Sequence, residues 1–260
     1  MTNALRFAAH PCKRTRPGKW LSMLCVVGLA MMLSGCRLLG ETASYRYKLT
    51  ICLDTPDGAK TASTVIEVKA FRAPEYWKAI SMAVGNRTNM SDEGQALYLD
   101  LGSGRRPLVV LLNRAIWELA PKHDQYWSPM RLINPAAYEE MREHSIEAIQ
   151  LLRMTKGVFS VRPNDLPDLV TFADALDPKT AMYVDPIDVA ATLGPGVRWR
   201  DATIEITEEP VTRGLEQKLP WLKTMTNSSH LDGDCCDVFI KKNLSNKLQR
   251  SNFMFPYPQP

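Results

Sequence analysis

Ten residues near the start of the chain leave little freedom over what they fold into. From Tyr45 to Asp54, large apolar side chains (Tyr45, Tyr47, Leu49, Ile51 and Leu53) alternate with Arg46, Lys48, Thr50, Cys52 and Asp54. Successive side chains leave a β-strand on opposite sides, so period two means one buried face and one wet face. Thr55-Pro56-Asp57-Gly58 follows. Proline presets φ for a turn and glycine accepts positive φ, so the chain reverses there. Thr61–Phe71 (TASTVIEVKAF) returns as a second strand rich in β-branched residues. A hairpin with one apolar face is not stable alone and requires a second layer.

The remaining elements are read from the same signals. Pro74–Gly94 is an excursion outside the regular elements. Gln95–Leu101 is a third strand with Leu97, Leu99 and Leu101 inward. Leu108–Leu112 is a continuous apolar run that fits a buried strand, or a helix running on to Leu119. Asn134-Pro135 opens a helix, with Asn as cap and Pro at the first helical position. Tyr138, Met141, Ala148, Ile149 and Leu152 mark its buried face, and Gly157 ends it. Val158–Val161 and Leu169–Phe172 are short strands, and Asp185-Pro186 caps a short helix ended by Gly194-Pro195-Gly196. Trp199–Thr207 alternates again, with Thr203 and Glu205 opposite to Ile204 and Ile206. Leu215–Leu222 is a short helix interrupted by Pro220, and residues 241–260, polar and then Pro-rich, are a tail. The sum is an α+β fold: a strand-rich single domain over residues 45–240, with a mostly antiparallel sheet and a few short helices.

The N-terminus has the three parts of an export signal. A basic region ends at Lys19, an apolar run extends from Trp20 to Leu33, and Leu33-Ser34-Gly35-Cys36 follows. The apolar run is shorter than the roughly 20 residues a helix needs to span a bilayer. The last four residues resemble the lipobox of bacterial lipoproteins, in which the cysteine thiol takes a diacylglyceryl group and the signal is cut just before it. Residues 1–35 are therefore expected to be removed, with Cys36 lipidated as the first mature residue and residues 36–44 serving as a tether. Arg37 does not match the aspartate that resembles an inner-membrane retention signal, so the periplasmic leaflet of the outer membrane is favoured.

This reading also changes the meaning of the charge. The formal net charge of +4 comes from 32 basic and 28 acidic residues. Arg6, Lys13, Arg14, Arg16 and Lys19 all lie in the signal, which contains no acidic residue. Without it the chain is close to neutral, and a nucleic-acid partner is not expected.

Four groups of residues suggest chemistry. Asp100-Leu101-Gly102-Ser103-Gly104-Arg105, with Glu118 downstream, resembles the nucleotide-binding turn of methyltransferases that use S-adenosylmethionine. Arg106 and Pro107 stand where the pattern needs a glycine and a helix start, so a tight glycine turn after a strand is the better reading. His230-Leu231-Asp232-Gly233-Asp234-Cys235-Cys236-Asp237 gathers metal-ligating types without the spacing of a zinc or calcium site. In an oxidising compartment Cys52 is expected to pair with Cys235 or Cys236, and no metal or cofactor is assigned. Asp165, Asp168, Asp174, Asp177, Asp185 and Asp188 suggest a cation or acid–base site, although Asp-Pro pairs are also ordinary turn and cap residues. The aromatics Tyr76, Trp77, Trp117, Tyr126 and Trp127 fit either core packing or a groove. His144, beside Glu143 and Glu147, belongs to a solvated helix face.

Tyr45–Val68, Leu166–Asp177 (LPDLVTFADALD), Val184-Asp185-Pro186, Gly194-Pro195-Gly196-Val197, Thr203–Thr207 and Leu219-Pro220-Trp221-Leu222 together resemble a family of uncharacterised proteobacterial exported lipoproteins. The resemblance implies one domain and no particular activity. The expected function is a non-catalytic envelope lipoprotein, held to the bilayer through acylated Cys36, that binds or buttresses an envelope protein partner. The alternatives are a hydrolase-like periplasmic enzyme using residues 165–188, or a lipoprotein inhibitor or immunity factor.

Overall fold

The alternating hairpin is the spine of a six-stranded sheet. The structure, a computed structural model, describes residues 40–74, 88–102, 104–116, 127–141, 144–226, 229–233 and 243–255. β1 is Glu41–Thr55 and β2 is Gly58–Arg72. Tyr45, Tyr47, Leu49, Ile51 and Leu53 are all buried, and the polar residues between them are half-buried. The Thr55 hydroxyl donates to the Gly58 carbonyl (2.8 Å) and accepts from the Asp57 amide (3.2 Å), closing the turn. Gly58 sits at φ +105°, a conformation side-chain-bearing residues rarely adopt.

The sheet also contains β3 (Thr88–Gln95), β6 (Val158–Ser160), β9 (Arg198–Ile206) and β10 (Met254–Phe255), in the order β10-β3-β2-β1-β9-β6. A second sheet holds β4 (Leu97–Leu99), β5 (Leu108–Val110), β7 (Leu169–Phe172) and β8 (Ala181–Tyr183) in the order β4-β5-β7-β8. Every registered pair is antiparallel. The helices are short: α1 (Pro129–Ile133), α2 (Pro135–Glu140), α3 (Ser145–Met154), α4 (Val189–Leu193) and α5 (Leu215–Lys218). The fold is the strand-rich, mostly antiparallel α+β domain that the sequence predicts.

The apolar run Leu108–Leu112 is a strand-borne segment, because it is buried on both faces. Leu108, Val110 and Leu112 enter the core shared with β1, β2 and the helices α1–α3. Val109 and Leu111 enter a second core with Phe172, Leu215, Leu219, Trp221, Leu222, Leu248 and Phe253. No helix runs on from residue 111 to 116.

The second core overturns the tail reading for residues 243–255, the part of 241–260 that the structure describes. Leu248 and Phe253 are fully buried, and Phe253 packs edge-on to Trp221 with ring centroids 5.4 Å apart. The backbone is tied in as well: Phe253 O accepts from Ala96 N (2.7 Å) and Asn252 O from Leu112 N (2.9 Å). The buried Arg250 side chain donates through Nε to Leu222 O (3.0 Å). A few buried apolar residues among polar ones carry no periodicity, so sequence pattern does not reveal them.

Three further expectations are corrected. β3 occupies the end of the stretch read as an excursion. It lacks apolar alternation, and its place comes from pairing with the edge of β2, from Glu67 opposite Glu93 to Arg72 opposite Thr88. The single helix from Asn134-Pro135 to Gly157 is two helices, because His144 leaves helical geometry (φ −131°, ψ 62°). Asn134 still caps the first, its Oδ1 accepting from Ala137 N at 3.1 Å. Asp185 caps no helix: its Oδ1 accepts from Ile187 N (2.8 Å), while Asp188 caps α4 by accepting from Ala191 N (3.2 Å).

Candidate binding groove

The ladder between β1 and β9 carries one extra residue. Ile206, Ile204 and Ala202 stand opposite Tyr47, Leu49 and Ile51, and Asp201 stands opposite Cys52. The next pair is Leu53 with Trp199, so Arg200 has no partner. A bulge of this kind shifts the alternation by one and re-aims every side chain beyond it. Under strict alternation Trp199 would share the polar face of Thr203 and Glu205. The bulge instead turns it to the core side, where it packs half-buried against the main core.

Trp199 is the fixed floor of a groove of about 510 Å³. Its indole N–H donates to Pro186 O at 2.7 Å. Ile187, 75% exposed, stands beside it. The opposite wall is the single 3-10 turn Pro163–Asp165. Arg114 holds that turn from behind, donating to Asn164 O (3.0 Å) and Leu166 O (3.2 Å). At the rim Arg162 Nε donates to Asp165 Oδ2 (2.6 Å), and this hydrogen bond raises the guanidinium pKa above its ordinary value. Arg198 and Arg200 flank Asp54 just beyond it, at 3.5 and 2.8 Å. A fixed aromatic ring, two prolines and an exposed isoleucine can desolvate an apolar side chain, and the Arg162–Asp165 rim can take polar groups around it.

The groove lies at the hairpin-turn end of the sheet. Leu53 pairs with Trp199 two residues before Thr55, and Gly196 (φ +79°) lies so close to Pro56 that a Cβ there would be 2.8 Å from Pro56 Cγ. β9 runs about 23 Å from Trp199 to Ile206, opposite Tyr47, and β1 extends six residues further, to Glu41.

The residues singled out by sequence are placed differently. Cys36, Cys235 and Cys236 lie outside the described residues, as do Tyr76, Trp77, Trp117, Glu118 and Tyr126. Cys52 is half-buried on the polar face of β1 and accepts from Thr61 Oγ1 at 3.2 Å; it has no disulfide partner among the described residues. Trp127 packs against Tyr47, with centroids 5.7 Å apart, as a core residue. His144 pairs with Glu140 (2.7 Å) on an exposed surface. His230 is buried and bonds Gln249 through Nε2 (3.0 Å), which ties residues 229–233 to the C-terminal segment. Asp100 Oδ1 accepts from Gly102 N, and the glycine turn connects β4 to β5 as an antiparallel hairpin.

The six aspartates do not converge. Asp174, Asp177, Asp185 and Asp188 each accept a backbone N–H from within three residues, at Leu176, Lys179, Ile187 and Ala191. Asp168, buried, accepts from Ile116 N (2.6 Å), and Asp165 pairs with Arg162. No group able to hold a metal occurs among the described residues. Alanine at Asp174, Asp177 or Asp185 is therefore expected to lower stability by about 0.5–2 kcal/mol each. Chemical denaturation would measure this, and an unchanged midpoint in all three would remove the turn-and-cap assignment.

Sequence reasoning missed Trp199, Ile187, Pro186 and the 162–164 turn as a group. Only the bulge and the turn at Asp185 bring them together, and neither leaves a pattern in sequence. No family model matches the chain, and neither a curated protein nor a solved structure matches it.

Proposed function

We propose that the protein is a lipid-anchored envelope lipoprotein, acylated at Cys36, whose domain is a binding module for an envelope protein partner. The observation that carries the binding role is the ordered exposure of Ile187 beside Trp199. A large aliphatic side chain is held in water by a backbone bond to Asp185, next to an indole pinned by Pro186. Exposed apolar groups on a preformed concave site are what a partner side chain can bury at low ordering cost. The fate of the six aspartates supports a binding role over hydrolysis, since four shape local turns or a cap, Asp168 holds Ile116 N and Asp165 is in an ion pair. The lipobox supports the anchor, and Arg37 supports the periplasmic leaflet of the outer membrane.

The test is a photo-crosslinking amino acid at position 187 in cells producing the protein at native level. A single stoichiometric adduct, lost when Trp199 is changed to Ala, is the expected result. Equal adduct formation from position 176, in a separate exposed turn, would overturn the groove assignment. Cys36→Ser should release the protein from the membrane fraction, and retention there would overturn the anchor.

A further inference from the structure

The end of the sheet opposite the groove has a different character. β1 begins there, β2 ends at Arg72 opposite the start of β3, and β9 ends with Thr207 N bonded to Arg46 O. β6 starts level with the middle of β1, Val158 standing opposite Glu205 and Glu205 opposite Lys48. The last turn of α3 arrives at the end where β1 begins, since Arg153 lines one cleft with Thr42, Ser44, Phe71 and Ser91. Seven large hydrophobic side chains are exposed among the described residues, and four of them (Phe71, Met90, Leu151 and Met154) are on the elements that meet at this end. The other three are Val158 at the start of β6, and Leu176 and Ile187 in the turns between β7 and α4.

We propose that this end of the domain rests on the bilayer, with Phe71, Met90, Leu151 and Met154 against the boundary between headgroups and acyl chains. The inference rests on the lipoprotein reading and adds an orientation to it. Chain length identifies the occupant. The six Cα–Cα steps from Cys36 to Thr42 reach at most about 21 Å when extended, so an acylated Cys36 keeps this end near the membrane surface. Side-chain chemistry agrees. Leu151 and Met154, three apart, share one face of α3. Arg153 and Lys156 are exposed beside them and have no ion-pair partner among the described residues. Long cationic side chains next to exposed apolar ones suit a lipid interface, because the stems lie along the apolar layer while the charges reach the phosphates. The Trp199 groove then faces away from the membrane.

The test uses the full mature chain, purified with its lipid and reconstituted in phosphatidylethanolamine–phosphatidylglycerol vesicles. A photoactivated carbene probe that partitions into the acyl region is released, and labelled peptides are quantified by mass spectrometry. Peptides carrying Phe71 and Leu151–Met154 are expected to take at least fivefold more label than those carrying Leu176 and Ile187. Equal or reversed labelling, or label confined to the acylated N-terminal peptide, would overturn the orientation. The intact mass of the same sample separates the two failures. An acylated Cys36 with an unlabelled β-sheet end removes only the orientation, whereas an unmodified Cys36 removes the anchor and the orientation together.

Discussion

Phe253→Ala is expected to destabilise the domain by about 3–5 kcal/mol, the range for removing a large aromatic from a packed core. Its ring is fully buried, 6.3 Å from Phe172 and 5.4 Å from Trp221, and these three rings form the centre of the second core. Domains of this kind have a total stability of only about 5–15 kcal/mol, so one such loss is a large fraction of it. A chain ended after residue 242 should fare worse. It loses Leu248, Arg250 and β10 with Phe253, and exposes Val109, Leu111 and Phe172. Urea unfolding followed by tryptophan fluorescence would show the first as a shifted midpoint and the second as loss of a cooperative transition. A truncated chain that unfolds at the same midpoint as the full one would return residues 243–255 to the status of a tail.

The second large effect is alkaline unfolding driven by Tyr45 and Tyr47. Both are buried, their ring centroids 6.3 Å apart. Burial raises both phenol pKa values well above the ordinary value near 10, and the charge of Asp92 adds to this in each case. Tyr183 is pushed up to about 12, by burial first and then by Asp168 and Asp185. An unfolded chain releases these protons above about pH 10, whereas the folded chain keeps them. The stabilising contribution of the neutral phenols is thus fully present below pH 10 and falls as pH rises. Well above pH 10, each tyrosine still protonated in the fold removes about 1.4 kcal/mol per pH unit. Denaturation midpoints between pH 9 and 11.5 should fall steeply, and tyrosinate absorbance should rise together with loss of structure. Tyr45→Phe should reduce the slope. Tyrosinate absorbance that rises fully while the fold persists would sink the idea.

How much of this was legible in sequence depended on whether a pattern was local. The β1–β2 hairpin could be read because alternation and turn chemistry occupy contiguous residues. Leu97, Leu99 and Leu101 and the cap at Asn134 were legible for the same reason. β3 was not, because Thr88–Gln95 takes its conformation from the β2 edge and contains no apolar alternation of its own. The candidate site was almost wholly hidden. Trp199 looks like the first residue of an alternating strand, and only the unpaired Arg200 reverses the side it faces. Asp185 was noticed but assigned to a helix cap three residues early. The aspartate cluster drew attention by density alone, and density does not show where carboxylates point.

The second core carries a consequence for the order of events in the cell. Its first contributors, Val109, Leu111, Val170 and Phe172, are made long before Leu248 and Phe253, which close it. Until Leu248 and Phe253 are made, the outer face of β5 and β7 is covered only in part, by Leu215, Leu219, Trp221 and Leu222. The second core therefore cannot close before Phe253 is available. A nascent chain that has not yet reached Phe253 keeps part of an apolar sheet face open, a state that chaperones recognise.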